Sequence, residues 1–320
     1  MKIREISIST YSVAFIAALA LSTTSMTVAA HGTAKKNSEV AQTEKKEPTI
    51  GATKLNDTLT LLSGVGGFTG GNVVVSNGPD GMLIIDDKLE AMTAKLTAAL
   101  NDINPSNDLK FVLNTHWHFD HAGGNAELGK SATIVAHTNV RKRLSTPQKI
   151  DIFKKDLPPS PASALPVITY DDSVSIHFNG EEIKVTHMPS SHTDTDSIMY
   201  FTKSNVLHMG DLFFNGIFPF VDIQNGGDVV SLTKNIEKVM GIFPADATVV
   251  PGHGPLATMA DMKTYHQMLT ETTANVSKMI KAGKTLDEIK AAGVPKTWAG
   301  YGWLIDVPTW NGIIHSSLTR

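Results

Sequence analysis

Four side chains able to hold a metal ion fall within six residues of this chain: His116, His118, Asp120 and His121, in Thr115-His116-Trp117-His118-Phe119-Asp120-His121. The preceding Phe111-Val112-Leu113-Asn114 reads as a strand. At the end of a strand alternate side chains point the same way, so His116 and His118 can reach one cation together. As the chain turns, Asp120 and His121 can face a second cation beside the first. Neutral imidazole and carboxylate are donors that Zn²⁺ accepts, and iron and manganese accept them too. Gly123 and Gly124 follow and permit the sharp bend such a turn needs.

These residues need elements to carry them. Short apolar or alternating runs at residues 58–62, 72–75, 82–86 and 109–114 read as strands. Further strands are expected at 133–136, 167–170, 174–178, 183–188, 197–202, 205–208 and 248–250, with Asn179-Gly180 as a hairpin turn between two of them. Helical spacing predicts helices over 88–100, 138–144, 229–243, 259–282, 286–292 and 310–318. More candidate ligands follow downstream, each beside an expected strand end. Residues 145–166 hold five prolines and little periodicity, which fits either a loop bordering the site or a linker.

The pattern HxHxDH resembles the metallo-β-lactamase superfamily of hydrolases, and four further pieces match in order. Asp86 in Leu83-Ile84-Ile85-Asp86 looks like the first motif and His192 in Ser191-His192-Thr193 like the third. Asp211 in His208-Met209-Gly210-Asp211-Leu212 looks like the fourth, and His253 in Pro251-Gly252-His253-Gly254 like the fifth. The resemblance implies an α/β fold, a four-layer αββα sandwich with the metals at one edge. It implies that His116, His118 and His192 bind the first Zn²⁺, that Asp120, His121 and His253 bind the second, and that Asp211 bridges them. Two such cations share a water of lowered pKa, which serves as nucleophile, and Asp120 orients it. Asp86 is expected to hold a ligating imidazole from behind. Asp87 stands where the family often has a small hydroxyl residue, which leaves open which carboxylate does the orienting. His187 and His208 are expected to be structural. The aromatic segment 213–220, just after the fourth motif, suggests a wall of the substrate pocket: Phe218 and Phe220 are its candidates, with one facing substrate while the other packs, or with both in the core, and Trp298, Tyr301, Trp303 and Trp310 either cap the pocket or close the core.

The bridging aspartate looks more like the glyoxalase II, lactonase, phosphodiesterase and sulfur-dioxygenase branches than like the true β-lactamases. The chain has no cysteine, so disulfides and thiolate ligands are excluded. The expected activity is hydrolysis of an ester, thioester, lactone or amide. The alternatives are a β-lactamase, favoured by export, and an iron-dependent oxygenase or metal-binding accessory protein on the same ligands.

With 41% hydrophobic and 18% charged residues the composition is that of an ordinary globular protein, and a net charge of −3 lacks the basic footprint of a nucleic-acid binder. The expected partner is a small-molecule substrate. No basic cluster near the ligands marks a phosphate or carboxylate grip, and nothing in the sequence sets an oligomeric state. Residues 1–30 read as a cleavable secretory signal: Lys2 and Arg4, an apolar run at 11–21, and Val28-Ala29-Ala30 with a cut after Ala30. The apolar run is short for a membrane span, so no stable anchor is expected, and the mature protein would be periplasmic or secreted. Residues 31–49 read as a flexible polar leader, with the hydrolase domain at 50–320.

Overall fold

The computed structural model describes residues 47–106 and 108–320. The expected signal peptide, and the leader up to residue 46, lie outside the described residues.

The order of elements follows the alternation of apolar and polar residues closely. The first sheet takes β1 (Thr49–Lys54), β2 (Leu59–Val65), β3 (Val73–Gly78) and β4 (Gly81–Ile85) as an antiparallel run. After helix α1 (Thr93–Ile103) comes β5 (Leu109–Leu113), parallel to β4. Short α2 (Asn125–Leu128) leads to β6 (Thr133–His137), and α3 (Thr138–Leu144) to the small β7 (Gln148–Ile150)–β8 (Lys155–Leu157) hairpin. β9 (Ile168–Tyr170) closes the sheet in the order β1-β2-β3-β4-β5-β6-β9.

The second sheet is built from β10 (Ser173–Phe178), β11 (Glu181–His187), β12 (Ser197–Phe201) and β13 (Val206–His208). After α4 (Val229–Ile242) it gains β14 (Thr248–Val250), parallel to β13, and β15 (Ala257–Thr258). Helices α5 (Met259–Lys281), α6 (Leu286–Ala291) and α7 (Val307–Leu318) finish the chain.

Period-2 alternation sorts the strand residues into separate cores. Leu61, Leu83 and Ile85 point inward and meet Val185, Met199 and Phe201 of the second sheet. Their neighbours Leu62, Met82 and Ile84 point outward and pack with Leu96 and Leu100 of α1. On the far side Leu207 and Val249 pack with Leu232 and Ile236 of α4, Leu269 of α5 and Trp310 of α7. The result is the four-layer αββα sandwich expected from the sequence.

Two differences from the sequence reading have clear causes. The helix expected from residue 88 begins with a 3-10 turn at Glu90–Met92 and is α-helical from Thr93, because Lys88 has φ 68°, outside the helical region. The proline-rich 145–166 segment is not bare loop; it forms the β7–β8 hairpin, which leans over the end of the sandwich where the strands carry the histidines.

Candidate metal centre

Every candidate ligand leaves the carboxyl end of a strand. His116 to His121 follow β5, His192 follows β11, Asp211 lies in the turn after β13, and His253 follows β14. The tertiary fold brings them together although they span 138 positions, from 116 to 253. Donor atoms of His116, His118, His192 and Asp211 lie within 4.8 Å of one another, and so do those of Asp120, His121 and His253. Asp211 touches both groups. Its Oδ2 is 3.4 Å from His192 Nε2 and 3.9 Å from His116 Nε2, while Oδ1 is 3.0 Å from His121 Nε2 and Oδ2 is 3.4 Å from His253 Nε2. Asp120 Oδ2 approaches His253 Nε2 at 3.2 Å and His121 Nε2 at 3.7 Å. Glycine is required at two approaches: a Cβ on Gly252 would lie 2.0 Å from Asp211 Oδ1, and one on Gly71 would lie 2.1 Å from His121 Cε1.

Hydrogen bonds on the outer side of the rings decide which nitrogen carries the proton. His121 Nδ1 donates to Asp86 Oδ2 at 2.7 Å. His192 Nδ1 donates to the Phe220 carbonyl at 2.6 Å. His118 Nε2 donates to Asp222 Oδ2 at 3.0 Å. The Thr115 hydroxyl donates to Asp86 Oδ2 at 2.8 Å, so towards His116 Nδ1, 3.0 Å away, it can only accept. In neutral rings the remaining nitrogens are then bare lone pairs, and all of them point inward. His192 Nε2 and His118 Nδ1 face each other at 2.7 Å, and His121 Nε2 and His253 Nε2 at 3.2 Å. His116 Nε2 is buried with no hydrogen-bond partner. Lone pairs so converged repel unless a cation sits among them, and the donors are those that divalent metals accept. The residues fit a metal group.

Electrostatics divide the two groups. Burial depresses the His192 imidazole, to about 4, and drives His116 well below its ordinary value, helped there by His121. Burial also disfavours charged His253 and His121, but Asp211 and Asp120 outweigh it, holding His253 at about 9 and His121 well above the usual range. Burial raises both carboxylates, yet the facing imidazoles hold Asp211 well below the carboxylate range and lower Asp120.

Asp86, rather than Asp87, orients the ligands. It receives His121 directly, and Thr115 through both backbone and side chain, whereas Asp87 accepts from the Gly124 backbone. His208 and His187 are structural, the first bonded to Asn72 and the Gly210 amide, the second stacked 3.7 Å from His137. The two pocket phenylalanines separate. Phe220 lines the cavity over the centre and stacks on His118 at 5.6 Å. Phe218 does not line it and is corrected to a core residue: its segment is not a strand, its amide is fixed to the Tyr301 carbonyl at 2.9 Å, and its ring stacks on Trp310, 5.6 Å away and nearly parallel. Trp298 and Trp310 likewise close the core, while exposed Trp303 packs near Phe68 at the site's edge.

The cavity encloses about 370 Å³ and is walled by Phe68, Phe119, Phe153, Phe214 and Phe220 around Asp120, Asp211 and His253. His253 is held between the rings of Phe68 and Phe214, at 5.7 and 5.1 Å. Lys155, from the β7–β8 hairpin, contributes to this lining. Sequence reading missed Asp222, Thr115, Phe68 and Lys155 as site residues. Asp222 carried only the mark of a turn acid, because its partner His118 lies 104 positions away.

Comparison with known proteins agrees with this geometry. The sequence profile of the Metallo-beta-lactamase superfamily matches residues 66–284. The type 2 metallo-beta-lactamase of Bacteroides fragilis is 23% identical over 239 residues, covering 72% of this chain and 89% of that protein. The probable hydroxyacylglutathione hydrolase of Schizosaccharomyces pombe is 29% identical over 154 residues, 46% of this chain and 48% of that one. The solved metallo-beta-lactamase from Pontibacter korlensis superposes with a TM-score of 0.57 at 18% identity, covering 69% of this chain and 99% of its own, a likeness of fold.

Asp222→Ala removes the acceptor behind His118, so affinity for a metal at the His116, His118 and His192 group should fall about 10- to 100-fold, read by chelator competition. Unchanged affinity would contradict the assignment. The proton balance makes a second expectation. At neutral pH metal-free His192 is neutral, whereas His253 and His121 are both held towards the protonated form, so filling the Asp120, His121 and His253 group must expel protons. Its apparent affinity should rise with pH up to about 9, with a shallower slope for the other group. Equal slopes in titrations across neutral to alkaline pH would contradict this.

Proposed function

The chain belongs to the metallo-β-lactamase superfamily of metal-dependent hydrolases, and on that premise we propose that it is an exported dinuclear zinc hydrolase acting on an ester, thioester, lactone or amide. The observation that carries this reading is the Asp211 carboxylate, which reaches the donor nitrogens of both groups. One carboxylate shared in this way suits two adjacent cations better than one.

When bound, the cation pair supplies a water of lowered pKa and a Lewis acid for the substrate's carbonyl oxygen. The chain's residues do the rest. His116, His118 and His192 offer neutral nitrogens whose direction is set by Thr115, Asp222 and the Phe220 carbonyl. Asp120 opens onto the cavity, and its carboxylate, kept ionised by His121 and His253 against the effect of burial, accepts the proton of the attacking water. The aromatic walls exclude bulk water, which strengthens each charge interaction at the centre. No serine or cysteine nucleophile is required.

A β-lactamase is the second reading. It is supported by the similarity to the Bacteroides fragilis enzyme along most of both chains, and by the expectation of export. Against it, the resemblance of a bridging aspartate is to the other branches.

The zinc-loaded protein should hydrolyse at least one of a panel of chromogenic ester, lactone, thioester and β-lactam substrates, and a chelator should abolish this. Asp120→Asn keeps the side chain's shape and loses both the proton acceptor and the charge it offers a metal, so at saturating zinc kcat should drop about 10²- to 10⁴-fold. Retained turnover after full metal removal would sink the hydrolase reading, and turnover of the β-lactam alone would favour the second. For export, the N-terminal sequence of protein recovered outside the cytoplasm should begin at His31; recovery there with Met1 intact would contradict a cleaved signal.

A further inference from the structure

The cavity over the metal centre abuts another. A second cavity of about 500 Å³ lies under the 145–166 segment, and Leu89, Phe119 and Lys155 line both. Phe119 stands between His118 and Asp120, so the ligands on either side hold its backbone in place. The β7–β8 hairpin brings the Lys155 ammonium to 5.2 Å from its ring centroid. The contact pairs an exposed, flexible side chain with an aromatic ring, so the junction can open without breaking a core.

Beyond the junction the wall is largely apolar, with Ala122, Ala126, Leu144, Leu157 and Pro158 among its members. Arg143 also lines it, but this guanidinium is not free to grip an anion. Its nitrogens bind both Asp194 oxygens at 2.6 and 2.7 Å, together with Gln148 and Asn225. The exposed acid Glu90 lies in the same lining and opposes a negatively charged occupant. The first cavity, at about 370 Å³, is near the small end of ligand sites, so a substrate longer than a short acyl compound must extend out of it. The adjoining apolar space past Phe119 is built to receive that extension.

We infer that the substrate carries a medium or long alkyl chain, with its scissile bond at the metal centre and its chain running past Phe119 and Lys155 into the second cavity. This rests on the hydrolase reading above. The apolar wall stabilises the chain by removing its methylenes from water, with no polar partner needed.

The test uses the full chain loaded with zinc and the 4-nitrophenyl esters of acetate, butyrate, octanoate and dodecanoate. The ratio kcat/KM should rise with chain length, by about two- to fourfold per methylene while the cavity fills, mainly through KM. Two variants fill the second cavity from different walls: Ala126→Trp within α2, and Thr146→Trp at an exposed position where a large side chain leaves the core untouched. In each, the preference for dodecanoate over acetate should collapse towards one. A flat response to chain length in the parent protein, or a preference that survives in both variants, would overturn the inference. Titration calorimetry with dodecanoate separates the two readings. If no ester reacts, esterase activity alone fails and the hydrolase reading passes to the lactone, thioester and β-lactam panel; the tail site is then upheld by dodecanoate binding to the parent and not to the variants, and rejected if all bind alike.

Discussion

Imidazole lone pairs turned towards one another are the constraint on which this structure depends. A neutral histidine has one bare nitrogen, and where that nitrogen points is decided by what the other nitrogen donates to. Here Asp86, Asp222, Thr115 and the Phe220 carbonyl each take the outer position, so four rings present their acceptors to a common space. Two carboxylates, Asp120 and Asp211, enter the same space. Gathering that much negative potential among buried groups is costly without a cation, and the raised affinity of His253 and His121 for protons is the metal-free expression of the same field. The surrounding fold exists in large part to hold this edge: two sheets packed face to face deliver five loops to one end, and the helices outside them bury the strands that carry those loops.

The outer partners also couple distant parts of the chain. Asp86 ties the end of β4 to Thr115 and His121 after β5. Asp222 ties the segment before α4 to His118 and is itself held by Asn225 at 2.7 Å. Lys88, fully buried, ties the loop that carries Phe68 back to the end of β4 through the Gly71 carbonyl. Its burial lowers the ammonium to about 8, against the pull of Asp86 and Asp120. Chemistry and packing are therefore not separable at this edge. A change in one outer partner alters both the aim of a ligand and the seating of a loop.

Above the centre the character changes. The polar cage is roofed by aromatic rings and by a hairpin whose Lys155 ammonium lies over the Phe119 ring. Such a site is suited to substrates recognised by shape and apolar contact, with polarity concentrated at the reacting bond.

The candidate ligands that the fold brings together were legible in the sequence because metal ligation needs specific side chains at strand ends, and strand ends are marked by local alternation and glycine. The helices over 229–242 and 259–281 were legible for the same kind of reason, since apolar residues recur on one stripe and Asp228 and Thr258 cap the starts. Other features were not. Asp222 looks like any turn acid until the fold carries it to His118, and Phe218 and Phe220 differ only in which one the packing of Trp310 claims. The hairpin at residues 148–157 has too few residues to show a period, and its place over the centre follows from the loops on either side. What the sequence by itself determined was the set of donors and the alternating strands that present them, because both are written in nearest-neighbour order. Which nitrogen of each ring faces the metals, which aromatic roofs them and where the cavity leads were decided only by the tertiary structure, because those depend on contacts between residues about a hundred positions apart.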